Sequence, residues 1–128
     1  MSHETVWEAN GVYWKLEGEL TSSELFEFSQ ELVAGGSTLK RLKYFLVDCL
    51  AVDKYTDDSD DAELTAVQSD GLTRYNKRLL GVFVYDTPVL EALVKGYIAN
   101  MEAKESPWQF ATFDNLEDAR NWIESMTY

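Results

Sequence analysis

The residues with the clearest chemical potential lie between positions 44 and 61. An apolar run, Tyr44-Phe45-Leu46-Val47, leads to a single acid, Asp48, then Cys49 and Leu50. An acid-rich stretch follows, Asp53-Lys54-Tyr55-Thr56-Asp57-Asp58-Ser59-Asp60-Asp61. Carboxylates at this density are oxygen ligands for a hard cation. With Asp57 as position one of a Ca²⁺ loop, Ser59 and Asp61 occupy positions three and five. Ala62 then falls where the turn needs Gly, and Gln68 where a bidentate Glu is needed, so no metal site is assigned. Asp48 stands near the end of a buried strand, where phosphoryl-accepting aspartates stand. Such a site also needs an acidic pair after the first strand and a Lys after a late one; Gly18-Glu19-Leu20-Thr21 and Asp114-Asn115 supply neither. The Asp-x-Asp of haloacid-type phosphatases is absent too. Asp48 therefore reads as a hydrogen-bonded structural anchor for the adjacent loop. Cys49 and His3 are the only residues of their types, and no Gly-x-Ser-x-Gly or Gly-rich phosphate loop occurs. No catalytic residue, metal or cofactor is assigned.

The acid-rich stretch needs a scaffold, and the rest of the sequence supplies one. At 128 residues and 45% apolar content, the chain reads as one domain, residues 1–128, with an ordinary core. The net charge of -12 argues against nucleic acid and anionic membrane as partners, because both are bound mainly through Lys and Arg. A single Cys fits a reducing cytoplasm. We expect no leader and no membrane span, since no apolar stretch approaches the roughly 20 residues needed.

Thr5–Ala9 and Val12–Glu17 flank Asn10-Gly11, which predicts a hairpin with a type I′ turn. Alternation places Val12, Trp14 and Leu16 toward the core, and Tyr13, Lys15 and Glu17 toward water. Thr21 and Glu24 match a capping box opening a helix with Leu25, Phe28 and Leu32 inward, stopped at Gly35-Gly36. A central strand over about 43–50 comes next, covered on both faces. A helix should begin near Ser59 or Asp60, with Leu64, Val67, Leu72 and Tyr75 inward. Lys77–Tyr85 reads as a second central strand, and Thr87-Pro88 as a helix start. The stripe Leu90, Leu93, Val94, Tyr97, Ile98 and Met101 follows. A short strand, Pro107–Phe113, precedes a capping box at Asp114–Glu117 and a last helix with Ala119, Trp122, Ile123 and Met126 inward. The order predicts an α/β fold: a mixed, mainly parallel five-stranded sheet with an N-terminal antiparallel hairpin near one edge and about four helices on both faces.

Two surface features follow from this order. Lys40, Arg41 and Lys43 precede one central strand, and Lys77 and Arg78 the next. The acid-rich stretch follows the first strand and Asp86 the second, so parallel strands imply a basic end and an acidic end. Such a field would steer a cationic partner to the acidic end. Trp7, Tyr13 and Tyr55 are candidates for an aromatic contact patch, for a partner or a second copy.

Gly18-Glu19-Leu20-Thr21, Phe45-Leu46-Val47-Asp48 and the closing Phe113-Asp114-Asn115-Leu116-Glu117-Asp118-Ala119-Arg120-Asn121-Trp122-Ile123, in that order, resemble the SpoIIAA-like fold family, related to the STAS (anti-sigma factor antagonist) domains. The closing pattern is similar to a bacterial subgroup of uncharacterised SpoIIAA-like proteins. The resemblance implies the fold and a non-enzymatic, protein-binding or regulatory character. It places a phosphorylatable Ser, in an Asp-Ser-Ser-Gly-like motif, after the central strand. Ser59 is its nearest counterpart here, without the Gly or the second Ser and with Asp57, Asp58, Asp60 and Asp61 around it. The expected binding surface is thus Asp53, Asp57, Asp58, Ser59, Asp60 and Asp61, taking an unknown protein partner or a second copy as a homodimer. A carrier of a small apolar ligand, lined by the stripe from Leu90 to Met101, is the alternative. A third reading is an Mg²⁺-dependent enzyme using Asp48.

Overall fold

The computed structural model describes residues 2–34, 40–56, 71 and 76–127. Their elements are β1 (Ser2–Trp7), β2 (Gly11–Thr21), α1 (Ser22–Ala34), β3 (Tyr44–Thr56), β4 (Leu80–Val84), α2 (Pro88–Ala103), β5 (Gln109–Phe113) and α3 (Leu116–Thr127). The strands lie side by side in chain order. β1 pairs antiparallel with β2, and every other pair is parallel. This is the mixed sheet with an edge hairpin that the order of elements predicted. The helix expected from about Ser59 lies outside the described residues.

Alternation sorts the side chains into two cores. Val12, Trp14 and Leu16 of β2 and Phe45, Val47 and Cys49 of β3 pack against Phe28 and Leu32 of α1 and Leu90, Val94 and Met101 of α2. On the opposite face, Tyr44, Leu46, Leu80, Val82 and Val84 meet Ala119 and Ile123 of α3. Tyr13 packs into this second core instead of facing water. Met126, expected inward, is exposed at the end of α3.

Local differences from the sequence reading have physical causes. Neither Asn10 nor Gly11 has a positive φ. The Glu8 amide instead donates to the Gly11 carbonyl (2.8 Å), so Ala9 and Asn10 are the central pair of the turn. Gly11 opens β2 because the Tyr44 ring lies where its Cβ would be, 2.5 Å away. Thr21 caps α1 as expected, its hydroxyl accepting from the Glu24 amide (3.3 Å). The cap of α3 shifts by one residue. Asn115 accepts from the Asp118 amide (2.8 Å) and donates back to the Asp118 carboxylate (3.0 Å). β3 runs on to Thr56, well past the predicted 50, so Asp53 belongs to a strand and not to a loop.

A buried asparagine fixes the end of the sheet where the parallel strands begin. Asn76, 7% exposed, donates to the Leu42 carbonyl (2.7 Å) and accepts from the Arg78 amide (3.0 Å). Its own carbonyl accepts from the Trp108 indole (2.6 Å). Three loops, those entering β3, β4 and β5, are thereby tied to one side chain and its peptide.

Candidate functional site

β4 pairs with β3 only up to Val84 opposite Asp48, whereas β2 and β3 stay paired as far as Thr21 opposite Thr56. The two strands therefore overreach the rest of the described sheet as a ribbon. The register shifts at Lys15/Glu17 and Gly18/Glu19, where Gly18 adopts φ 76°, a left-handed conformation that costs glycine little. Asp53 and Lys54 are exposed on this ribbon, and Lys54 lies 3.8 Å from Glu19. Asp57, Asp58, Ser59, Asp60 and Asp61, which continue from it, lie outside the described residues. Among the described residues no three His, Cys, Asp or Glu side chains are grouped to hold a metal ion.

Asp48 sits at the base of the ribbon, 5% exposed. One carboxylate oxygen accepts the Tyr13 hydroxyl (2.6 Å) and the other the Leu50 amide (3.1 Å). Burial, then the bond to Asp48, pushes the Tyr13 phenol well above its ordinary range, so the hydroxyl stays protonated and donates. Burial likewise pushes the Cys49 thiol up to about 12, which leaves it without thiolate character at neutral pH.

The same face holds a cluster that the sequence did not disclose. Arg120 of α3 donates through both terminal nitrogens to Glu8 in the β1–β2 turn, at 2.6 and 2.8 Å. The Tyr44 hydroxyl also donates to Glu8, and the Arg120 guanidinium lies 5.3 Å from the centre of the Tyr13 ring. Burial and the bond to Glu8 push Tyr44 up to about 12. The clamp closes a span of 112 residues, so no local pattern could have announced it. Its chemistry is that of a fastening: at neutral pH both phenols are donors and the carboxylates acceptors.

The clamp gives stability a pH dependence. The hydrogen bond from Arg120, opposed in part by burial, holds the Glu8 carboxyl below its usual range. Its contribution is therefore present above the ordinary carboxylate pKa and is lost as pH falls through the depressed one. Glu8→Gln should cost about 1 kcal/mol at neutral pH, a modest figure because solvent screens the half-exposed pair. The gap in melting temperature from the parent should narrow below about pH 4. A gap independent of pH would sink this assignment.

The other candidates, apart from Trp7, pack against the two cores. In the α2 stripe Leu90, Val94 and Met101 are buried, and the Tyr97 ring meets Phe83 and Phe110 at 5.7 and 5.8 Å. Leu93, Tyr97 and Ile98 are partly buried and pack against the first core. Of the three aromatic candidates, Tyr55 packs against the first core and Tyr13 against the second. Trp7 alone stands clear, 46% exposed, with Val6 beside it at 37%. A shallow polar depression lies over His3, Glu4, Lys15 and Glu17. No helix among the described residues is long and apolar enough to cross a membrane.

Solved structures share this architecture along nearly the whole chain. A protein of the DUF3478 family with a SpoIIAA-like fold, from Shewanella loihica PV-4, is 16% identical with a TM-score of 0.57, over 95% of this chain and 92% of that one. The anti-sigma factor antagonist SpoIIAA in its unphosphorylated form is 11% identical with a TM-score of 0.60, over 96% and 98%. The Bacillus cell fate determinant SpoIIAA in its phosphorylated form is 10% identical with a TM-score of 0.55, over 95% and 99%. No protein-family model and no curated protein matches the sequence. The chain has a SpoIIAA-like fold, as the sequence resemblance implied.

Proposed function

We propose that the chain is a non-enzymatic regulatory module of the cytoplasm that binds a protein partner at the C-terminal end of β3. Asp53 and the following Asp57, Asp58, Ser59, Asp60 and Asp61 form the docking surface. The observation that carries this reading is the overreach of β2 and β3, which presents exposed Asp53 three residues from the end of a ribbon whose sequence continues into four more Asp. In open α/β sheets, ligands and partners meet the carboxyl ends of the strands. Asp48, the one acid placed for chemistry, has both oxygens committed to Tyr13 and Leu50. SpoIIAA, which shares the fold, is an anti-sigma factor antagonist, a role exercised on another protein.

Reversing Asp53, Asp57, Asp58, Asp60 and Asp61 to Lys should abolish capture of a partner at about 50 mM salt, where surface charges act over more than 10 Å. A control, Glu4→Lys, should retain it. Equal capture by the reversed variant and the parent would overturn the assignment.

A further inference from the structure

We propose that the opposite pole of the sheet, where the parallel strands begin, is a second docking surface, built from Lys40, Arg41, Lys43, Lys77, Arg78 and Trp7, for an acidic protein segment. Lys40, Arg41 and Lys43 enter β3, and Lys77 and Arg78 enter β4; all five are exposed. β3 and β4 are parallel in register from Tyr44 opposite Leu80, so the two basic loops lie side by side. The scaffold beneath them is hydrogen-bonded together. Asn76 binds the Leu42 carbonyl and the Arg78 amide, the Leu80 amide donates to the Lys43 carbonyl (3.0 Å), and the Lys43 amide donates to the Asn10 carbonyl (2.6 Å). That last bond joins the basic loops to the β1–β2 turn. Trp7 closes β1 at this same pole, opposite Val12 of β2, which in turn pairs with Phe45 of β3.

The pairing of charges singles this pole out. Acids outnumber bases 23 to 11, and four of the ten described cations have a carboxylate within 4 Å. Lys15, Lys54, Lys95 and Arg120 each have one, at 3.9, 3.8, 2.6 and 2.6 Å. Among the described residues, the five cations of the basic loops have none. Lys104 is present at the same pole, but Glu102 and Glu105 flank it. Five unpaired cations beside an exposed indole offer carboxylates charge-assisted hydrogen bonds and an apolar residue an anchor. The net charge of -12 decides against nucleic acid: a long polyanion feels the whole field, whereas a short acidic segment feels mainly the local patch within a Debye length of about 8–10 Å.

A competing role is electrostatic support of α1 and α2, which have no basic residue in their last turns. That role would appear in stability and not in binding. The test is a titration, by fluorescence anisotropy, of the full chain into a fluorescein-labelled, glutamate-rich peptide with one central phenylalanine. Saturable binding at about 50 mM salt is expected, weakened about tenfold or more by Lys43→Glu with Arg78→Glu and by Trp7→Ala, and reduced by raising the salt. Lys15→Glu with Lys95→Glu should bind as the parent does, and so should the reversed acidic-end variant, which separates this surface from the one proposed above. Lys43→Gln with Arg78→Gln carries the test if the double reversal does not fold. The proposal is overturned by any of four results: no saturable binding, equal loss in the Lys15/Lys95 control, a changed melting temperature with unchanged affinity, or tighter binding of a single-stranded oligonucleotide of the same charge than of the peptide.

Discussion

Trp14→Ala should destabilise the protein by about 3–5 kcal/mol, a large share of what a domain of this size possesses. Trp14 is 2% exposed, stacks on Phe28 at 5.2 Å and tilts against Phe45 at 6.0 Å. Its indole donates to Glu31 of α1 (2.7 Å), and the same carboxylate oxygen accepts the Thr5 hydroxyl (3.1 Å). His3 lies 3.5 Å from the other Glu31 oxygen, with its ring edge-on to Phe28. Alanine would leave a cavity between β2 and α1 and remove a donor from a half-buried carboxylate. Trp14→Phe separates the two losses: it keeps most of the apolar volume and should cost about 1–2 kcal/mol. Chemical denaturation of both variants measures the difference. Equal loss from the two substitutions would show that the indole hydrogen bond outweighs the packing.

Gly81→Ala should cost about 3 kcal/mol, the upper part of the range for overpacking. A Cβ there would stand 2.6 Å from one atom of the Phe110 ring and 2.7 Å from the Phe45 ring, far inside the 3.5–4.0 Å at which carbon atoms attract. Both rings are held among other rings. Phe45, Phe83, Tyr97, Phe110 and Trp108 form a closed circuit of ring contacts, with centroids 5.7 to 6.4 Å apart. Phe110→Leu in the Gly81→Ala background should restore part of the loss. Gly96→Ala in α2, whose Cβ meets nothing within 4 Å, should instead stabilise by about 0.5–1 kcal/mol. A Gly81→Ala protein as stable as its parent would show that the circuit yields more readily than its contacts imply.

The elements were legible because each carries its own period and punctuation. Val12, Trp14 and Leu16 alternate, Leu90, Val94 and Met101 recur at helical spacing, and Thr21 and Pro88 mark helix starts. What was misread depends on distant residues. Asn10-Gly11 has the composition of a type I′ turn, yet Gly11 is used for the space that Tyr44 needs. The extent of β3 was hidden because its last residues, Asp53 to Thr56, are polar, and the partner that extends them is β2. Asp48 could be singled out as an acid in an apolar strand, and Tyr13 shares its face by alternation. Glu8 and Arg120 gave no signal, since each looks like an ordinary surface charge until the fold brings them together.

The clamp between Glu8 and Arg120 also bears on how the chain is made. The β1–β2 turn is synthesised early and α3 more than a hundred residues later, so the hairpin must wait for its fastening. During translation at roughly 5–20 residues per second, the β1–β2 edge spends several seconds without the helix-borne arginine that secures it. The growing polypeptide is open to mispairing at that edge until α3 has emerged and Arg120 can reach Glu8.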